Sequence, residues 1–154
     1  MNARLILLTL VLGFFGVSVC YAADVNMGTW KLNDAKSKLI AGTPKNDTVV
    51  YAAAGDDVKV TVDGVDGAGK PTHNEWTGKF DGKDYAVTGD PTADTRAYKT
   101  VNDHTLELTV KKGGKTTASG RIVVAADGKS RTLTLSGTDA KGKKFSSSAV
   151  YDKQ

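Results

Sequence analysis

From Thr48 onward apolar and polar side chains alternate with a period of two, and Gly, Asp, Asn and Pro clusters break the alternation at short intervals. The stretch Val58-Lys59-Val60-Thr61-Val62 shows the pattern most cleanly. Equivalent runs cover Thr48 to Ala53, His73 to Phe80, Tyr85 to Val87, Thr95 to Val101, Thr105 to Lys111, Thr116 to Val124, Arg131 to Ser136 and Phe145 to Tyr151. With Gly28-Thr29-Trp30-Lys31-Leu32 ahead of them, they predict about ten short strands. The connections are too short for the crossovers that parallel pairing needs, so the meander is antiparallel.

Ten open strands would leave two long edges exposed, and closure removes both. The one helix expected is short: Asn33 or Asp34 caps it, and Gly42 and Pro44 end it before Thr48. It cannot cover a sheet, so the sheet must cover itself. The expected fold is all-β, an up-and-down antiparallel β-barrel of 8–10 strands with one short helix near the N-terminus. A two-sheet sandwich is the alternative. Trp30, the one large ring in its stretch, needs a core, and the strands that follow supply one.

The turns carry their own chemistry. Asp81-Gly82 reads as a hairpin turn. Asp66 to Lys70 and Asp139 to Lys143 share Asp-x-x-Gly-Lys within a longer repeat that runs from strand to strand. Turn formation, with Asp bonding its own turn and Gly at positive φ, explains the repeat better than a calcium loop, which wants more oxygen ligands. Asp90 and Asp94 flank Pro91 in the longest polar loop and read the same way.

Residues 1–22 differ from the rest: Arg4, an apolar run from Leu5 to Val19, then small residues around Cys20 and Ala22. This pattern predicts a signal peptide cut after Ala22, with Ala23 the alternative, and a periplasmic or extracellular protein. Residues 24–154 then form a single domain. The apolar run is short for a membrane span, and no integral membrane segment is expected once it is removed. Cys20 has a second reading as a lipidated residue, against which stands the bulky Val19 before it. With Cys20 removed the chain has no thiol, so stability must come from packing. The formal charge of +4 falls to +3 without Arg4, and its lysines are scattered among turns; no nucleic-acid partner is expected. A monomer is expected.

Gly28-Thr29-Trp30-Lys31-Leu32 resembles the opening Gly-x-Trp signature of the calycins, the lipocalins and fatty-acid-binding proteins, and is closer to the latter. The ending Ala149-Val150-Tyr151-Asp152-Lys153 is similar to their terminal Arg-x-Tyr strand. The chain also resembles small secreted bacterial proteins with lipocalin-like domains. The resemblance implies a barrel with a ligand cavity and a late-strand Arg packed over Trp30 as a structural plug, for which Arg121 and Arg131 are the choices. Two departures stand out. Asn33 to Ile40 is too short for a helical lid, and Ala149 occupies the place of the carboxylate-binding Arg.

No catalytic constellation is present: no thiol after the leader, no Gly-x-Ser-x-Gly elbow, and His73 and His104 lack ligand spacing. The expectation is a protein that is not an enzyme and uses no cofactor or metal. Two readings remain open. In the first the barrel encloses a small apolar or amphipathic ligand, walled by Val58, Val60, Val62, Trp76, Leu106, Leu108, Ile122 and Tyr151, with Gly78, Ala118, Gly120, Gly137 and Ala149 leaving volume. In the second the core is packed and the protein is a non-enzymatic envelope interaction or structural protein, an inhibitor or stress-related scaffold.

Overall fold

The structure is a computed structural model that describes residues 24–139 and 141–154. The leader, its cleavage site and Cys20 lie outside the described residues. Ten antiparallel strands close into one barrel: β1 (Gly28–Leu32), β2 (Lys45–Ala54), β3 (Asp57–Val65), β4 (Pro71–Gly78), β5 (Tyr85–Thr88), β6 (Thr95–Asn102), β7 (Thr105–Lys112), β8 (Lys115–Val124), β9 (Ser130–Thr138) and β10 (Lys144–Lys153). Each strand pairs with its neighbour in sequence, and β1 joins β10 through Trp30 opposite Lys153, Lys31 opposite Asp152 and Leu32 opposite Tyr151. The architecture is the calycin-like one, and the sandwich alternative is excluded by that seam.

The parity of each strand sorts its side chains. Outward positions carry Lys59, Thr61 and Asp63 on β3 and Glu107 and Arg121 on β7 and β8. Inward positions carry Val60, Val62, Trp76, Leu106 and Ile122, all at most 3% exposed. This polar-out, apolar-in order is the inverse of a membrane barrel's. Among the described residues no helix is long and apolar enough to cross a membrane.

The expected helix shrinks to one 3₁₀ turn, Asp34–Lys36, capped by Asn33, whose side-chain oxygen accepts from the Lys36 amide at 3.2 Å. The cause is tertiary pairing. Lys38 exchanges both backbone hydrogen bonds with Ser148, at 2.7 and 3.0 Å, and so draws the chain onto β10 before a second turn can form. Asp81-Gly82 does not make a tight hairpin either. Residues 79–84 are a longer connection laid against β6, with the Gly82 amide donating to the Tyr98 carbonyl at 2.8 Å and the Thr100 amide to Phe80 at 3.1 Å. The Asp66 and Asp139 turns match bond for bond: in each, the Asp carboxylate accepts from the amides two and four residues on, at 2.8–2.9 Å.

The barrel has two unlike ends. At one, Asp24 to Met27 fold under the strands: the Met27 amide donates to the Asp24 carbonyl, Asn26 is buried, and Val25 and Met27 pack against the core. We call this the sealed end. The other, built from the turns after β3, β5, β7 and β9 and the segment before β2, we call the open end.

Candidate functional site

Trp30 is 0% exposed, and its indole N–H donates to the Asn26 carbonyl at 2.8 Å. Arg131 lies over it, with the guanidinium carbon 4.7 Å from the Trp30 ring, 4.7 Å from Tyr51 and 5.1 Å from Tyr151. Arg131 is therefore the plug arginine. Arg121 is not: it sits between inward Gly120 and Ile122, so it points outward, where it pairs with Glu107 at 3.0 Å. A wider aromatic cluster adjoins the plug. Trp76 meets Tyr98 edge to face at 4.7 Å and Tyr85 at 5.7 Å, and Phe80 stacks on Trp76 at 6.3 Å. The Trp76 N–H donates to the Arg96 carbonyl at 2.9 Å.

The eight residues expected to wall a cavity all face inward. Seven are sealed, from 0% exposure at Val60 and Leu106 to 6% at Leu108, while Val58 is half-buried. A side chain with no exposure adjoins no space that a water molecule could occupy, so around Val60, Leu106 and Trp30 the barrel is filled, as small barrels often are. Nor do the three glycines leave room. A Cβ on Gly120 would overlap the Thr134 carbonyl, one on Gly137 the Thr117 carbonyl, and one on Gly78 the Tyr85 ring. At Gly120 and Gly137 the neighbouring backbone has moved into the space, as happens where strands bend sharply at a barrel corner.

The interior is not sealed throughout. On β9, Leu133 and Leu135 share the face of Arg131, opposite Ile122 and Gly120 on β8 and Ala149 and Ser147 on β10. Leu133, Leu135, Gly120 and Ser147 are half-buried, and so is Val110 on β7. Inward positions on β7 to β10 therefore keep a partial exposure that Trp30 and Val60 lack. Two other depressions, of about 360 and 400 Å³, lie outside the wall: one beside the 3₁₀ turn, the other between Leu39–Lys45 and Val65–Gly69.

The interior also holds polar groups. Nε and Nη1 of Arg131 are buried without a hydrogen-bond partner among the described residues, as is Oδ1 of Asn74 on β4. Arg96, 8% exposed, bonds Asp90 at 2.6 Å, so the loop after β5 is tied into the barrel by an ion pair. Burial pushes the Asp90 carboxyl up, but hydrogen bonds from the Thr92 hydroxyl and amide and the Arg96 charge outweigh it, leaving it below the usual carboxylate range. Burial, then the nearby Tyr51, raises the Tyr98 hydroxyl well above an ordinary phenol. Burial alone outweighs the opposing Arg131 charge at Tyr151, pushed up to about 12. Both hydroxyls are neutral at physiological pH.

Asp94 does not share the partners of Asp90: it accepts from the Gly113 amide and Lys112, each at 2.7 Å. No group of three His, Cys, Asp or Glu among the described residues is arranged to hold a metal. Sequence reasoning missed Arg96 and Tyr98 as interior groups. The signal was there: in Thr95-Arg96-Ala97-Tyr98 the arginine has the parity of the aromatic.

No family model and no curated protein matches the chain. Among solved structures it is similar to a redesigned β-barrel, mFAP1, bound to DFHBI, at 16% identity and a TM-score of 0.47, covering 86% of this chain and 98% of that one. It is also similar to EF1p2_mFAP2b bound to DFHBI, at 12% identity and a TM-score of 0.48, covering 86% of this chain and 97% of that one. A likeness of this degree assigns neither family nor ligand to the chain.

Proposed function

We propose that this protein is a non-enzymatic binding barrel that takes a small amphipathic molecule at its open end, and that it works outside the cytoplasm after removal of residues 1–22. The observation that carries the reading is the unequal burial of one inward face. Leu106 and Ile122 are closed off, whereas Leu133 and Leu135, on the same face, remain in reach of water. An apolar wall left wet in a folded protein is the ordinary mark of a ligand surface. The filled sealed half limits the ligand to a small one.

Titration with a hydrophobic fluorescent probe tests this. Saturable one-to-one binding is expected in the native protein, with loss of that binding when Leu135→Trp fills the wet wall and leaves the melting temperature near wild type. Binding that is absent, or unchanged in the variant, favours the second reading, a packed envelope scaffold, which the sealed half supports. Mass spectrometry of the processed N-terminus tests the location: a chain that retains Met1 to Ala22 would count against it.

A further inference from the structure

Charge is divided unequally between the two ends of the barrel. The segments that form the open end, 37–45, 65–71, 88–95, 112–115 and 138–144, carry eight lysines against four aspartates. Those of the sealed end, 24–28, 54–57, 78–85, 102–105, 124–130 and 153–154, carry four lysines against seven aspartates. A net charge of +3 spread over the chain thus resolves into roughly +4 at one end and −3 at the other, a dipole along the barrel axis. The lysines that produce it are not consumed locally. Lys38, Lys70, Lys115, Lys141, Lys143 and Lys144 are all exposed, and none has a carboxylate within ion-pair distance among the described residues.

One of the few large apolar side chains left in water stands on the same rim. Leu39, 39% exposed, follows Lys38 directly, and with Ile40, Pro44 and Val65 it borders the depression of about 400 Å³ beside the β3–β4 turn. Basic side chains set around an exposed leucine match a surface that is anionic at its face and apolar just beneath. We propose that the open end docks on an anionic phospholipid bilayer, with the turn lysines at the headgroups and Leu39 entering the boundary below them. The opposite end, acidic and closed by Asp24 to Met27, is repelled by the same surface, which fixes the orientation. This inference stands whether or not a ligand enters the barrel.

The test is flotation of the full chain, as its host processes it, with vesicles of phosphatidylcholine containing about a third phosphatidylglycerol, and with phosphatidylcholine alone. Binding is expected to the first and not to the second, and to fall steeply as salt rises from about 50 to about 500 mM. The triple variant Lys141→Glu/Lys143→Glu/Lys144→Glu should weaken it by about 100-fold or more, and Leu39→Ser by up to about tenfold. Lys79→Glu/Lys83→Glu, at the sealed end, changes the total charge in the same direction and should leave binding within about twofold of wild type. All variants share one N-terminus, so any contribution from it cancels. Equal binding to both vesicle types, equal weakening by the sealed-end pair, or binding to duplex DNA without binding to anionic vesicles would each overturn the proposal. Should the triple variant fail to fold, the lipid and salt dependence of the native chain decides.

Discussion

Replacing Arg131 by Met and by Ala separates what its charge does from what its bulk does. The guanidinium faces three rings at 4.7, 4.7 and 5.1 Å. A desolvated cation–π contact is worth up to about 2 kcal/mol. One cation shared by three rings cannot collect the full amount from each, so about 3–4 kcal/mol is a fair upper figure. Against it stand two buried nitrogens without hydrogen-bond partners, Nε and Nη1, at about 1–3 kcal/mol each. Taken at the middle of its range, about 4 kcal/mol, the second quantity cancels the first to within about 1.5 kcal/mol. Methionine keeps the length and makes favourable sulfur–ring contacts of its own, so Arg131→Met should leave stability within that margin. Alanine gives up the packing and leaves a cavity against Trp30, a loss of about 3 kcal/mol or more. Urea unfolding followed by tryptophan fluorescence reads both: with m near 2 kcal/mol/M, Ala should move the midpoint down by about 1.5 M and Met by less than about 0.7 M. If Met proves as damaging as Ala, the charge itself is required, and the cancellation worked out here is wrong.

Gly120→Ala should destabilise by about 3 kcal/mol or more, because the added methyl meets the Thr134 backbone rather than a movable side chain; thermal melting checks it, and a neutral result would mean the strand can relax. Asp90→Asn strands a guanidinium that is 91% buried at the side chain and should cost about 3 kcal/mol by the same assay. The Asp90 carboxyl is held below its usual value, so its contribution is complete above about pH 4 and is lost as pH falls through the folded-state value. The melting temperature of the wild type should therefore drop below about pH 4 more steeply than that of Asp90→Asn. In an alkaline ultraviolet titration, Tyr98 and Tyr151 should stay protonated at pH 11, while the chain is folded, and ionise together when it unfolds; early ionisation of every tyrosine would contradict their burial.

What was legible in the sequence was local or periodic. The ten strands follow from period-two alternation, the paired Asp66 and Asp139 turns from five residues each, and the burial of Trp30 from the need of one large ring for the only core on offer. Misread features depend on partners far along the chain. Asn33 to Ile40 has the caps of a helix but is claimed by Ser148, and residues 79–84 have a hairpin's dipeptide but are claimed by β6. The choice between Arg121 and Arg131 could have been made from parity, since Arg131 alternates with Leu133 and Leu135 whereas Arg121 falls between Gly120 and Ile122. The space attributed to the glycines could not, because whether a missing side chain leaves a hole or admits a neighbour's backbone is decided by strand curvature, which no short window encodes.

The polar content of the interior is the feature that stability alone explains least. Well-packed apolar side chains would serve a barrel core as well as buried ion pairs, and often better. Yet Arg96, Arg131, Asn74 and the hydroxyls of Tyr51, Tyr98 and Tyr151 all occupy inward positions that leucine or phenylalanine could fill. They divide between the two halves: Arg131, over Trp30, Tyr51 and Tyr151, lies in the sealed one. Arg96 and Asn74 sit toward the open end, where the inner wall of β9 is also wet, while the sealed end keeps Trp30, Val60, Leu106 and Ile122 dry and supplies the apolar burial that folding needs. With one half sufficient for a core, the other is free to keep apolar surface and hydrogen-bonding groups side by side within reach of solvent. That pairing is what the proposed amphipathic guest would meet at the open end.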